Sequence, residues 1–127
     1  MEKSSDRSGI VLESKNIETI TEQFLSLLKI LKKILQTKEE PLINVICDYF
    51  ANNWRLVVFL RQKHRPDSYF AKGKNRIFIS PGAVDMAGVV ITPLLENYKR
   101  LDYDTIREIY REVSLPENVM NLIIDKL

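Results

Sequence analysis

The sequence predicts an α+β domain: a mainly antiparallel sheet of about four to five strands, one long helix on a face and C-terminal helices closing the structure. Three observations carry this expectation. Apolar residues recur at three- and four-residue steps from Ile17 to Leu35, the period of one helix face. Short strand-like runs crowd the middle of the chain, and acid-led helical segments occupy its last quarter.

Composition limits what such a domain can do. With 127 residues, 45% hydrophobic and 28% charged, the chain can bury one core. A net charge of +2 and a pI near 8.7 are too mild for a global nucleic-acid binder, so any electrostatic function must come from local clustering. A single cysteine, Cys47, excludes an internal disulfide and a cysteine-based zinc site, and fits a reducing, cytoplasmic setting. The N-terminus MEKSSDRSG has no signal-peptide core, and no apolar run approaches the ~20 residues that cross a bilayer. No cofactor, metal, membrane or nucleic-acid partner is therefore expected.

Residues 1–8 are polar and read as a flexible N-terminus ahead of a single domain over residues 9–127. Gly9 to Leu12 reads as a short strand. Asn16 is placed to cap a helix from Ile17, with Glu18 near its positive end. That helix carries Ile20, Phe24, Leu27, Leu28, Leu31 and Ile34 on one face and stops near Gln36, ahead of Pro41. Leu42 to Phe50 alternates as a strand, Ala51-Asn52-Asn53 supplies a turn, and Trp54 to Arg61 forms the second arm of a hairpin. Midway along an apolar strand, Cys47 is expected to be a buried, inert thiol.

A basic loop, Gln62 to Asn75, follows. Arg76 to Ile79 resumes as a strand, Ser80-Pro81-Gly82 turns the chain, and Met86 to Thr92 reads as another strand ending at Pro93. Asp102 is a good N-cap for a helix over Tyr103 to Val113, and Pro116 with Glu117 opens a last one.

The candidate site lies where the Trp54 strand ends. Arg61, Lys63, His64 and Arg65 crowd together there, and guanidinium and ammonium groups at a strand end suit a phosphate. A solvated basic loop is the competing reading. His64 fits a phosphate contact or structural role better than a catalytic one, having only Asp67 or Asp85 nearby to orient it. Tyr69 and Phe70 are candidates for stacking on a base, while Trp54 is expected to pack in the sheet. Asp85 fits a ribose contact or, preferably, a cap on its own turn. No glycine-rich nucleotide fingerprint and no metal-ligand spacing is present.

The order EPLINVICDYFANNWRLVVFLRQKHRP, then YFAKGKNRIFISPGAVDMAGVVITP, then IREIYREV resembles the C-terminal part of a Bacteroides-type family in the histidine-triad-like (HIT-like) nucleotidyltransferase and phosphorylase superfamily. Galactose-1-phosphate uridylyltransferase and the GDP-sugar phosphorylases are its better-known relatives. The resemblance runs from about Ser8 onward and is most specific at Lys63-His64-Arg65-Pro66 and from Ser80-Pro81-Gly82 through Asp85-Met86-Ala87-Gly88 to Thr92-Pro93. It implies a nucleotide sugar or sugar phosphate as ligand. Those enzymes work through a His-x-His motif, and this sequence has one histidine. The resemblance thus implies a C-terminal portion, inactive alone, whose catalytic histidines belong to an N-terminal segment or another chain. The alternative is a non-catalytic binding or dimerisation module, with a homo-oligomer as one form of it.

Overall fold

A computed structural model describes residues 6–127. Its elements are β1 (Gly9–Ser14), α1 (Ile17–Ile34), β2 (Ile43–Phe50), β3 (Asn53–Leu60), α2 (Asp67–Phe70), α3 (Ala83–Met86), α4 (Leu95–Arg100), α5 (Tyr103–Val113) and α6 (Glu117–Ile124), with a 3₁₀ turn at Gly73–Asn75. The α+β class holds, but the sheet among the described residues has three antiparallel strands in the order β1-β3-β2. That is fewer than expected.

Strand β3 is central because both its edges are paired. Leu56, Val58 and Leu60 point to one face and Val57 and Phe59 to the other. On the first face Ile10, Leu12, Leu56, Val58 and Leu60 meet Ile20, Leu27 and Leu31 of α1 and Met120 and Ile123 of α6, forming the larger core. On the second, Phe59 packs with Met86, Tyr110 and Val113, so α3 and α5 close that side. Beyond Leu60 the chain bridges Arg61 to Ser114. The Leu115 N–H donates to the Leu60 carbonyl at 3.1 Å, and the Gln62 N–H to the Val113 carbonyl at 2.9 Å, so the end of the α5 segment prolongs the sheet briefly.

Local signals placed α1, α5 and α6, whereas the short α2, α3 and α4 were not foreseen. Asn16 Oδ1 accepts from the Glu18 and Thr19 N–H groups at 2.8 and 3.2 Å, and Asp102 Oδ1 accepts from Thr105 N–H at 2.8 Å. Helix α1 ends in a Schellman turn, with the Thr37 N–H bonded to the Lys32 carbonyl at 3.2 Å and Gln36 at φ 52° where glycine is usual. The hairpin is closed by Ala51 and Asn52 at φ 52° and 58°, the conformation that a two-residue type I′ turn requires.

Three expectations are corrected. Arg76 to Ile79 is extended but unpaired, because the buried Asn97 side chain takes the place of a neighbouring strand. Its Oδ1 accepts from the Phe78 N–H at 2.8 Å and its Nδ2 donates to the Arg76 carbonyl at 3.1 Å. Met86 to Thr92 is not a strand either: Ala83–Met86 is a helical turn, and Gly88 at φ 117° redirects the chain. Cys47 is exposed rather than buried, since β2 is an edge strand that α1 does not cover.

The flexible segment expected over residues 1–8 falls partly on residues 1–5, outside the described residues. Asp6, Arg7 and Ser8 are held. Asp6 accepts from Arg107 at 2.7 Å and Arg111 at 2.8 Å, Arg7 Nη1 donates to the Met86 carbonyl at 2.8 Å, and Ser8 Oγ donates to the Leu115 carbonyl.

Candidate functional site

The basic residues after β3 divide into a buried part and an open part. Arg61 belongs to the buried part: only 4% exposed, it continues the Phe59 face under the Ser80-Pro81-Gly82 turn. Its Nη1 donates to the Pro81 carbonyl at 2.5 Å and to Asn44 Oδ1 at 2.8 Å, and its Nη2 to the Lys63 and His64 carbonyls at 3.1 and 2.5 Å. Burial lowers its pKa from the usual arginine value, and the negative charge of Asp85 partly offsets this. The two Nη groups so engaged fix three loop carbonyls, while Nε is buried without a partner; burial, not saturation, keeps this guanidinium from the surface. Lys63 is also committed, with Nζ 2.7 Å from Glu112 Oε1 and 3.1 Å from Asp67 Oδ1. The hydrogen bond it donates to Glu112, then that to Asp67, holds the ammonium more firmly protonated than usual.

His64 contributes its carbonyl to Arg61, and its exposed ring has no hydrogen-bonded carboxylate among the described residues. The orienting partner a general base requires is absent there. Asp85 is buried with both oxygens engaged: Oδ2 accepts from the Gly82 N–H at 3.0 Å and Oδ1 from the Ile91 N–H at 2.9 Å. It is the cap of its turn, held there with its side chain buried. The Tyr110 hydroxyl locks the same turn by donating to the Asp85 carbonyl at 2.5 Å; burial raises the Tyr110 pKa above the ordinary tyrosine value.

The open part begins at Arg65. Its Nε donates to Ser80 Oγ at 3.1 Å while its guanidinium carbon lies 4.5 Å from the Tyr69 ring centroid. Tyr69 is further engaged by Phe78, stacked at 4.9 Å, and by the edge of Phe70 at 5.1 Å. Arg76 lies over Phe78 at 4.7 Å and over Tyr69 at 5.7 Å. Tyr69 is thus the packed centre of an aromatic and arginine stack, and Phe70, 67% exposed, is the ring open to a ligand.

Beside this stack lies a cleft of about 400 Å³ lined by Tyr69, Phe70, Ala71, Lys72, Gly73 and Arg76. A second, of about 250 Å³, lies on the other side of the Gly73–Asn75 turn, lined in part by Lys74, Asn97 and Arg100. Arg100 donates to the Lys74 carbonyl, which fixes the turn between the clefts. Among the described residues none of Arg65, Lys72, Lys74, Arg76 and Arg100 has an ion-pair partner. Lys72, Lys74, Arg76 and Arg100 were not singled out from the sequence as site residues. The signal was there in the run KGKNR over residues 72–76, two lysines and an arginine spaced about a glycine.

Among the described residues no group of His, Cys, Asp and Glu could hold a metal ion, and no helix is long and apolar enough to cross a membrane. No protein-family model, curated protein or solved structure matches the chain.

Proposed function

We propose that this chain binds the phosphates and base of a nucleotide, as the contributing half of a nucleotidyltransferase- or phosphorylase-type reaction on a nucleotide sugar or sugar phosphate. The observation that carries this is the cleft beside Phe70, where an exposed aromatic ring borders cations with no carboxylate partner. A base laid on Phe70 contributes stacking of about 1–3 kcal/mol regardless of its identity. Lys72 and Arg76 then lie on the same lining as that ring, within reach of the phosphates that follow the base. Gly73, at φ 63°, has nothing within 4 Å of where a Cβ would stand, so its backbone is open to close approach.

The resemblance to HIT-like enzymes supports the same ligand class and supplies the reaction type. The attacking imidazole of such a reaction must come from other polypeptide, because the one histidine here, His64, has no orienting partner among the described residues. Arg61, Lys63 and Asp85 hold the fold under this reading, Tyr69 holds Phe70, and Arg65 supports the ring stack from outside the cleft lining.

Thermal-shift titration with UDP-glucose, GDP and glucose-1-phosphate tests it. Binding to the folded state alone stabilises by about 2.7 kcal/mol at a hundredfold excess over Kd. The nucleotide ligands are expected to raise the midpoint and a Lys72→Ala/Arg76→Ala protein to lose the rise. Absence of any shift with all three ligands overturns the reading.

A further inference from the structure

The outer edge of β2 is the least protected part of the sheet. Alternation fixes which backbone groups are unpaired. The Arg61 N–H donates to the Leu42 carbonyl at 2.9 Å, so Leu42, Asn44, Ile46, Asp48 and Phe50 exchange hydrogen bonds with β3. The N–H and C=O groups of Ile43, Val45, Cys47 and Tyr49 point the other way, into solvent. Edge strands are normally blunted by charge, proline or cover. Strand β2 has one charged residue, Asp48, and no proline. Its exposed side chains include Val45 at 37%, Tyr49 at 53% and Phe50 at 82%. On the α1 side only Ile43 of β2 reaches the core that covers β1 and β3, and Met86 of α3 packs on the Ile46 face.

We infer that this edge pairs antiparallel with β2 of a second copy, about a two-fold axis through Ile46. The strand is self-complementary along its whole length in that register. Val45 then stands opposite Cys47, Ile43 opposite Tyr49, Leu42 opposite Phe50 and Ile46 opposite itself, all apolar pairs. Asn44 stands opposite Asp48. Its Oδ1 already accepts from Arg61, which leaves the amide nitrogen to donate to the carboxylate. The neighbouring registers fail on the same side chains. An axis through Cys47 sets Asp48 against Ile46 and Asn44 against Phe50. An axis through Val45 sets Asp48 against Leu42, and one through Asp48 opposes two carboxylates. Pairing at Ile46 would join the two three-stranded sheets into one and bring the exposed Val84, Val89 and Ile91, from the segment that packs beneath Ile46, to the same junction.

Sedimentation across a wide concentration range gives the oligomeric state, and a mixed-chain disulfide gives the register. Directly opposed residues in a hydrogen-bonded pair have Cα atoms about 5.5 Å apart, within disulfide reach; Cys47 and its own copy would be roughly 9 Å apart, outside it. A Val45→Cys/Cys47→Ser chain mixed with the native chain is expected to cross-link on oxidation. Each chain alone is expected not to, nor is Tyr49→Cys/Cys47→Ser mixed with native. Val45→Lys, at an exposed position, should weaken self-association at least tenfold with an unchanged circular dichroism spectrum. A monomer at every concentration, a cross-link from the Tyr49→Cys mixture instead, or full association by the Val45→Lys protein would each overturn the pairing.

Discussion

Two neighbouring stretches carry the same kind of charge to opposite ends. From Arg61 to Lys63 the cations are taken up by the protein itself: a buried guanidinium that organises three carbonyls and a partly exposed ammonium held by two carboxylates. From Arg65 to Arg76 they face outward around an aromatic stack, with no ion-pair partner among the described residues. The difference is one of position relative to the sheet. Arg61 directly follows the last residue of a central strand, where the sheet, the Pro81 turn and the α5 segment converge and desolvate it. The later residues lie on a loop whose own backbone is pinned by Asn97 and Arg100, so their side chains remain at the surface. A basic cluster read in one dimension is therefore two clusters, one structural and one available.

The largest effect expected from breaking this contrast is at Arg61. Arg61→Ala leaves the Pro81 and His64 carbonyls without their buried donor and should lower stability by about 3 kcal/mol, seen as a fall in the chemical denaturation midpoint. An Arg61→Ala protein that keeps its stability would mean the guanidinium is not the organiser of this turn. On the open side the signs reverse. Lys72→Ala/Arg76→Ala should lower stability by only about 1 kcal/mol, from the lost contacts of Arg76 with Phe78 and Tyr69, yet weaken nucleotide binding roughly tenfold or more, and raised salt should weaken binding by the native protein in the same direction.

Smaller effects sharpen the contrast by probing sites away from it. Ala51 holds φ 52° in the hairpin turn, a conformation that costs an L-residue about 1 kcal/mol, so Ala51→Gly should stabilise by about that much without altering nucleotide affinity. The smallest effect is in pH. The hydrogen bond from Arg107 leads in holding the Asp6 carboxyl below its ordinary pKa of 3.8, with Arg111 assisting against the cost of burial. A depressed carboxylate contributes stability that is present above 3.8 and lost as the pH falls through the lower folded value. Asp6→Asn should remove that step from an acid-denaturation profile and leave the neutral-pH binding unchanged.

What was legible in the sequence was local. The caps at Asn16 and Asp102, the α5 span and the hairpin from Ile43 to Leu60 all rest on signals within a few residues of where they act. Non-local facts were not legible. Nothing near Arg76 announces that Asn97 will replace a strand partner, and the burial of Cys47 depended on strand order, which puts β2 at an edge. Of the two rings named in the site, Tyr69 is packed by Phe78 and Arg65 and only Phe70 is open; the capping role of Asp85 was readable. The division of the cations was not, because whether an arginine at a strand end is buried depends on what folds over it. Here that is the Pro81 turn, twenty residues away.

The central claim is that ligand meets the outward stretch and not the inward one. Amide chemical-shift mapping during titration with GDP or UDP-glucose tests it most directly. Perturbations are expected to concentrate on Phe70 to Arg76 and on Arg100, with the Arg61 and Lys63 amides unmoved. Shifts centred on Arg61 to His64, with the Gly73 turn silent, would contradict it.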